Sequence, residues 1–248
     1  MTSKLTFLGC GDAFGSGGRF NTCFLVEAGD TRFLIDCGAT SLAAMKRAGV
    51  SADDIPLIFI THLHGDHVGG LPFLLLEAAL VHKRSAPLTL AGPPGLRAHL
   101  PKLTDALFPG TPLELPFELN VRELAPDVRT EVLGVGVTPY LVKHAPTLVC
   151  TGLRFELGEK VLAYSGDTVW TDTLPSLAQG ADIFICDAYT YDGSTAQHLD
   201  YATLKNRYAE LGPKRLILTH LGQAFLDRMA AGETPEFETA ADGLVVQF

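Results

Sequence analysis

Three histidines and one aspartate lie within six consecutive positions of this chain. Residues 62–67 read His-Leu-His-Gly-Asp-His and follow an apolar run that is typical of a buried strand. Imidazole and carboxylate groups together suit zinc, iron or manganese. The i, i+2 spacing on an extended backbone turns His62 and His64 to one side, and Asp66 and His67 follow after a glycine. Four ligand-type side chains from one loop fit two adjacent ions better than one closed tetrahedral site.

A catalytic metal centre needs further ligands from other parts of the chain. Three polar residues, His144, Asp167 and His220, each follow an apolar run of strand length. Any one of them alone would be an ordinary surface or capping residue. Because all three have the same placement at a strand end, the sequence predicts that they complete the centre.

The elements that must position these residues alternate along the whole chain. Apolar strands are predicted at 4–9, 23–28, 32–35, 55–60, 88–91, 153–157, 161–164, 183–186 and 216–218, and helices at 41–48, 68–83, 96–107, 201–211 and 225–231. Residues 117–124 and 131–142 alternate in polarity and predict antiparallel strands, whereas the glycine-rich residues 11–19 predict a mobile loop. Mixed strands with helices outside predict two sheets packed face to face and covered by helices, in one domain over residues 1–248.

Composition narrows the function classes. Hydrophobic residues make up 47% of the 248 residues and charged residues 19%, which is typical of a well-packed globular protein. The five cysteines have no paired spacing, which favours reduced thiols and leaves a metal to His and Asp. A net charge of −9 without a basic stripe disfavours nucleic-acid substrates. The absence of a signal peptide or membrane-length apolar run predicts no membrane partner and a cytoplasmic location.

The ordered set of motifs resembles the metallo-β-lactamase superfamily. Its HxHxDH signature appears at residues 62–67, and its other motifs are matched by Asp36 before Cys37-Gly38, His144, Asp167 and His220. The resemblance runs from about residue 4 to the C-terminus. It implies an α+β fold, a four-layer αββα sandwich of two mixed β-sheets flanked by helices.

The resemblance also implies roles for the ligands. His62, His64 and His144 would bind a first divalent ion, Asp66, His67 and His220 a second, and Asp167 would bridge the two. Asp36 would orient a ligand imidazole from behind, although a turn-forming aspartate before Cys37-Gly38 is the alternative. Zinc is the expected metal, with manganese or iron as alternatives. A hydroxide bridging the ions would attack the substrate, and Asp66 could both bind metal and orient that hydroxide.

Within the superfamily the chain is most similar to the ribonuclease Z-like branch. The similarity rests on residues 7–12 (Phe-Leu-Gly-Cys-Gly-Asp), residues 58–61 and residues 216–220. That branch carries an acidic residue and a histidine that handle protons at the scissile phosphate, matched here by Asp187 and His198. Asp187 could hold the His198 ring and raise its pKa, while the alternative is that His198 caps the helix that begins near residue 201.

One departure from that branch bears on the substrate. Its tRNA-processing members insert a long tRNA-binding arm between the motifs matched by His144 and Asp167, where this chain has only residues 145–166, 22 positions. The expected activity is therefore hydrolysis of a small phosphodiester. Hydrolysis of a lactone, carboxyl ester or sulfate ester on the same site is the alternative. The functions that rank lower are a tRNA 3′ endonuclease, an iron-dependent redox enzyme and a non-enzymatic binding module. For the assembly of the protein, a homodimer is left open.

Overall fold

The computed structural model describes residues 3–111, 114–193 and 195–248. The strands are β1 (Lys4–Gly9), β2 (Cys23–Ala28), β3 (Thr31–Ile35), β4 (Leu57–Phe59), β5 (Leu88–Gly92), β6 (Leu119–Glu123), β7 (Thr130–Val132), β8 (Val135–Leu141), β9 (Thr151–Leu157), β10 (Lys160–Tyr164), β11 (Ile183–Asp187), β12 (Leu216–Thr219), β13 (Glu238–Thr239) and β14 (Val245–Gln247). The α-helices are α1 (Ser41–Arg47), α2 (Gly65–Val68), α3 (Leu71–Leu80), α4 (Leu96–Leu107), α5 (Leu174–Ala178), α6 (Tyr201–Leu211) and α7 (Gln223–Ala230).

The described strands form two mixed sheets of seven strands each. The first has the order β14-β1-β2-β3-β4-β5-β6, and the second has the order β13-β12-β11-β10-β9-β8-β7. In the first sheet β1, β2 and β3 are antiparallel, whereas β3 to β6 run parallel. In the second sheet β7 to β10 are antiparallel and β10 to β13 run parallel.

One predicted strand pairs differently from expectation. The antiparallel arrangement predicted for residues 117–124 is wrong, because β6 pairs in parallel with β5 and lies at the edge of the first sheet. Residues 131–142 do form an antiparallel hairpin, β7 with β8, which belongs to the second sheet. Alternating polarity predicts a strand with one covered face, but it does not specify the direction of the partner strand.

An apolar core fills the space between the two sheets. Phe33 and Phe59 from the first sheet meet Phe155 from the second, with ring centroids 4.9–5.2 Å apart. Phe24 packs edge-on against Tyr164 across the same space at 5.1 Å. Each such aromatic pair contributes about 0.5–1.5 kcal/mol beyond the burial of its area, so these contacts hold the two sheets face to face.

Helices cover the outer face of each sheet and complete four layers. A second apolar cluster lies between the first sheet and the helices α1, α3 and α4, and a third lies between the second sheet and α5, α6 and α7. The predicted αββα sandwich of two mixed sheets is confirmed. Among the described helices, none has both the length and the apolar character needed to cross a membrane.

The direction of the strands determines where polar loops meet. In the second sheet β10, β11 and β12 run parallel, and β8 has the same direction because it is antiparallel to β9, which is itself antiparallel to β10. Their carboxyl ends therefore lie at one edge of the sheet. β3 and β4 are likewise parallel in the first sheet. In sheets of this kind, ligands bind beyond the carboxyl ends of parallel strands.

The glycine-rich loop between β1 and β2, predicted to be mobile, has its own hydrogen bonds. The Asp12 carboxylate accepts bonds from the backbone N–H of Ser16 at 2.8 Å and from its hydroxyl at 2.7 Å. The Gly17 N–H donates to the side-chain oxygen of Gln223 at 2.9 Å. Phe14, held on this loop, is 84% exposed.

Candidate metal centre

Every predicted ligand lies beyond the carboxyl end of a strand. The loop that carries the first four ligands follows β4 and leads into α2, where Asp66 and His67 occupy the first turn. His144 follows β8, Asp167 follows β10 and His220 follows β12. The structure thus brings together all seven residues that the sequence analysis placed at the centre.

The first group of candidate ligands consists of three imidazoles. Ligand atoms of His62, His64 and His144 lie within 4.8 Å of one another. His64 Nδ1 is 2.9 Å from His144 Nε2, and the ring centroids of His62 and His144 are 5.0 Å apart. Three converging imidazole nitrogens are a donor set that suits a divalent transition metal or zinc.

The second group consists of Asp66, His67, Asp167 and His220, whose side chains are buried or, for Asp66, nearly so. His67 Nε2 and His220 Nε2 each lie 3.3 Å from Asp66 Oδ2. The same two nitrogens also each lie 3.3 Å from Asp167 Oδ2. Two carboxylate oxygens and two imidazole nitrogens therefore converge on one small volume.

Asp167 stands between the two groups. Its Oδ2 atom lies 3.9 Å from His62 Nε2 and 3.8 Å from His144 Nε2, as well as close to the second group. One carboxylate oxygen thus faces nitrogen atoms from both sets of ligands. This is the position that a bridging ligand between two adjacent ions requires.

Several polar atoms of the centre lack hydrogen-bond partners. Among the described residues, His62 Nε2, His67 Nε2 and Asp167 Oδ1 are buried without one. A buried polar atom without a partner costs about 1–3 kcal/mol, and such atoms are rare in native proteins. Cations coordinated by these atoms would satisfy them, so the residues present fit a metal centre.

The charges of the centre also fit bound cations. Burial alone would lower the pKa of His67, but the surrounding carboxylates outweigh it and raise the pKa well above its usual range. The same competition raises the pKa of His220 to about 9. Burial raises the pKa of Asp167, and the imidazoles around it lower that pKa well below its usual range. The carboxylates therefore stabilise positive charge here, which protons or metal ions can supply.

Asp36 lies behind the second group and orients His67. Its carboxylate accepts hydrogen bonds from the Thr61 backbone N–H at 2.8 Å and from the Thr61 hydroxyl at 2.9 Å, and it lies 2.7 Å from His67 Nδ1. This contact directs His67 Nε2 towards the centre, as is usual for carboxylates behind metal-binding histidines. Asp36 and His220 both have φ of 60°, a conformation that is strained for residues other than glycine.

Asp187 and His198 form a pair beside the candidate ligands. His198 Nδ1 lies 2.9 Å from Asp187 Oδ2, and the His198 ring stacks on that of His220 at 5.0 Å. Burial lowers the pKa of His198, but the Asp187 carboxylate outweighs it and raises the pKa. The alternative role as a helix cap is not what the structure shows, because Asp200 caps α6 by accepting from the Thr203 N–H at 2.8 Å.

Two supporting contacts were not predicted from the sequence. His144 Nδ1 lies 2.9 Å from the backbone carbonyl of Gln197, which turns the other ring nitrogen towards the centre. The Thr61 hydroxyl lies 3.1 Å from His62 Nδ1. Every residue has a backbone carbonyl, so the sequence does not show which one contacts His144. The second has a weak signal, a hydroxyl residue directly before the histidine motif.

The centre opens into a cleft of about 480 Å³. Its polar walls come from the candidate ligands and from His198, and its apolar walls include Phe14 and Tyr189. The Tyr189 ring lies 4.9 Å from the His198 ring. The cleft is therefore large enough for a small ester, with the Asp187–His198 pair on one wall.

Two helix-covered sheets with a cluster of histidine and aspartate side chains at their edge are typical of metal-dependent hydrolases with the metallo-β-lactamase fold. This chain belongs to that class, in its ribonuclease Z-like branch. The chain belongs to the family described as anti-Pycsar protein Apyc1, whose sequence model matches residues 3–241.

Two relatives support the assignment to the ribonuclease Z-like branch. Ribonuclease Z from Methanothermobacter thermautotrophicus is 28% identical over 90% of this chain and 87% of its own length. Ribonuclease Z from Mycobacterium sp. (strain KMS) is 30% identical over 76% of this chain and 70% of its own length. The predicted resemblance to this branch is confirmed.

Solved structures agree with the fold. The short form of human tRNase Z is 26% identical, with a TM-score of 0.77 and 98% of each chain covered. The metallo-β-lactamase fold protein YhfI from Bacillus subtilis has a TM-score of 0.80 at 22% identity over 100% of both chains. A diphosphatase of the PhnP family has a TM-score of 0.80 at 20% identity, covering 99% of this chain and 98% of its own. Identities this low support the fold alone.

The segment between His144 and Asp167 is short in the structure as well. It contains the antiparallel hairpin of β9 and β10 and the connections at either end, with no helical excursion between them. These residues are all described, so the segment has no room for a projecting arm.

Proposed function

We propose that this protein is a dinuclear metal-dependent phosphodiesterase that acts on small phosphodiesters. The observation that carries the proposal is the position of Asp167 Oδ2, which faces both ligand groups, with the Asp187–His198 pair on the adjoining wall. The first feature suits two neighbouring ions, and the second suits protonation of an alkoxide that leaves phosphorus.

The proposed ligand sets follow the two groups. His62, His64 and His144 would hold one ion, Asp66, His67 and His220 would hold the other, and Asp167 would bind both. When bound, the two ions would supply an acidified water and polarise a phosphoryl oxygen. We propose zinc as the metal because zinc accepts this imidazole and carboxylate set, with manganese or iron as alternatives.

The protein's own side chains would position and move protons. Asp66 borders the cleft, where its carboxylate can orient the attacking water as well as bind metal. Asp187 engages Nδ1 of His198, which leaves Nε2 as the nitrogen able to donate a proton to the leaving oxygen. The raised pKa of His198 keeps its ring protonated over a wider pH range, as a proton donor requires.

The size and charge of the protein support a small substrate. The cleft of about 480 Å³ is of the size that small-molecule sites have. The net charge of −9 and the short segment after His144 disfavour a tRNA substrate. A 3′,5′-cyclic nucleotide is a phosphodiester that fits these limits.

We also propose that residues 1–248 form one domain, that the protein acts in the cytoplasm and that it can form a homodimer. These proposals follow from the sequence analysis. Fractionation of cells and sedimentation of the purified protein would test the last two.

The decisive test is an assay of purified protein with a measured metal content. Metal is quantified by mass spectrometry, removed with a chelator and restored with zinc, manganese or iron. The restored protein is offered cyclic nucleotides carrying each of the four bases, aryl phosphodiesters, lactones, carboxyl esters, sulfate esters and precursor tRNA. We expect chelation to abolish phosphodiester hydrolysis and one metal to restore it. Preferential turnover of a lactone or sulfate ester would replace the proposed substrate class.

A further inference from the structure

A second cavity adjoins the metal cleft at Asp66, and His198 is not among its walls. It has a volume of about 550 Å³ and shares Ala13, Gly65 and Asp66 with the metal cleft. Its remaining walls are mainly apolar, and the large side chains among them are Phe73 from α3 and Leu103 and Leu107 from α4. We call this second cavity the apolar lobe. His198 lines the metal cleft but not the apolar lobe.

The passage between the two cavities is open. A Cβ atom placed on Gly65 would meet no atom within 4 Å among the described residues, so no side chain fills the boundary at this point. The apolar lobe and the metal cleft are therefore two parts of one depression, with Asp66 at the junction.

The apolar lobe exposes large side chains that have a fixed arrangement. Phe73 is 39% exposed and Leu107 is 42% exposed. The Phe73 ring packs edge-on against Phe108, the residue that follows α4, with centroids 5.0 Å apart, so this contact supports its position. Isolated exposed apolar residues are common, but a concave group of them beside a catalytic centre indicates a binding site.

The polar side chain at the back of the apolar lobe has its partners already. The Asn21 amide donates to the Asp12 carbonyl at 2.9 Å, and its oxygen accepts from the Thr40 hydroxyl at 3.3 Å. The walls away from Asp66 are thus suited to an apolar or aromatic group, and they offer little to a charged or strongly hydrated one.

We propose that the apolar lobe binds the ester group that remains on phosphorus, and that it selects an aromatic group there, such as an aryl ring or a nucleobase. This inference rests on the proposed phosphodiesterase activity. The leaving oxygen must lie beside His198, whose protonated ring donates a hydrogen bond to the developing charge or transfers its proton. The second ester group therefore extends away from His198, and the open side leads over Gly65 into the apolar lobe.

A pair of substrates with the same leaving group tests this assignment. Bis(4-nitrophenyl) phosphate and methyl 4-nitrophenyl phosphate both release 4-nitrophenolate, but the first keeps an aryl ring and the second keeps a methyl group. The ratio of their kcat/KM values is measured for the wild-type protein, Phe73→Ala and Leu107→Ala. We expect each variant to lower the aryl-to-methyl ratio about fivefold to tenfold, because burial of a ring is worth at least tenfold in binding.

The matched control is Leu80→Ala. Leu80 lies two turns from Phe73 on α3, is 63% exposed and lines neither cavity. It should keep the wild-type ratio. Differences in intrinsic reactivity between the two esters cancel, since each variant is compared with the wild-type protein on the same pair.

A second measurement is independent of turnover. Calorimetric titration of the metal-loaded protein with 4-nitrophenyl phosphate and with methyl phosphate compares the two products that keep the retained group. The aryl product should bind about tenfold more tightly, and Phe73→Ala should remove that difference.

The outcomes separate the two proposals. Failure of the metal-loaded protein to hydrolyse these two diesters and the cyclic nucleotides would overturn the proposed function, while the calorimetric comparison would still decide on the apolar lobe. An aryl-to-methyl ratio that stays unchanged in both variants, together with equal affinity of the wild-type protein for the two products or an affinity difference that both variants retain, would overturn the inference. If Phe73→Ala instead changes only the sedimentation of the protein, the apolar lobe is covered by a second copy of the chain and the inference is wrong.

Discussion

The two sheets contribute to the centre in different ways. The first sheet supplies four candidate ligands from one short loop after β4, so their proximity follows from covalent connection. The second sheet supplies His144, Asp167 and His220 from the ends of three different strands, with long stretches of chain between them. Asp187 and His198 also come from this second sheet and from the loop that precedes α6.

This difference affects how the candidate ligands from each sheet tolerate substitutions elsewhere in the protein. The contiguous loop can keep its local arrangement as long as β4 and α2 are in place. The dispersed ligands depend on the parallel register of β10, β11 and β12 and on the apolar core that holds one sheet against the other. We therefore expect ligands from the second sheet to link metal binding with global stability more strongly than ligands from the loop.

The largest effect should come from removing Asp167, the proposed shared ligand. Asp167→Ala should lower kcat by about 10³-fold or more and reduce metal content at both positions, because its carboxylate faces both ligand groups. Asp66→Ala should also abolish hydrolysis but retain the three-histidine group. Metal analysis and activity assays measure both, with Asp30→Ala in an exposed turn as the control. Full activity in either variant would contradict the proposed mechanism.

The next effect concerns His198, the proposed proton donor, which lies in the loop that precedes α6. His198→Ala should lower kcat by about 10²- to 10⁴-fold, the usual contribution of a positioned acid, with metal content unchanged. The comparison is made on esters with poor and good leaving groups. A substrate that releases 4-nitrophenolate should be less affected, because that leaving group needs little protonation. Loss of metal in this variant would make His198 a ligand, which its ring at 4.8 Å from that of His144 allows geometrically.

A smaller effect is expected from changing Asp36, which lies behind His67. Asp36→Asn should weaken metal affinity about 10- to 100-fold, because the carboxylate that orients His67 becomes a neutral amide. Competition with a calibrated chelator measures the affinity. Activity at saturating metal should be largely restored, and a failure of added metal to restore it would indicate that Asp36 acts on the fold instead.

The smallest effect concerns the pH dependence of the acid pair. The Asp187 carboxylate raises the pKa of His198, and the proposed mechanism needs the protonated ring, so activity should fall as pH rises through that pKa. Asp187→Asn removes the negative charge, lowers the pKa of His198 and should shift the falling limb of the kcat profile to lower pH. Profiles of wild type and variant, measured with the same metal, test the sign. A shift to higher pH would exclude this role for Asp187.

Much of this protein could be predicted from residues 62–67 and from the positions of apolar runs. The ligand types and their spacing in that loop specify a metal centre without tertiary information, because neighbours in sequence are neighbours in space. The four-layer architecture was also accessible from alternating strands and helices, together with family resemblance. The direction of β6 could not be predicted, since a polarity pattern does not specify whether the partner strand runs parallel or antiparallel.

Only the tertiary structure decided which other residues lie around that loop. The distances from Asp167 Oδ2 to both imidazole groups, the support of His144 by the Gln197 carbonyl and the apolar lobe beside Gly65 all join segments far apart in sequence. Such contacts depend on strand register and on packing between sheets, which many residues determine together. The sequence by itself thus determined the kind of chemistry, whereas the fold decided the geometry in which that chemistry and its substrate meet.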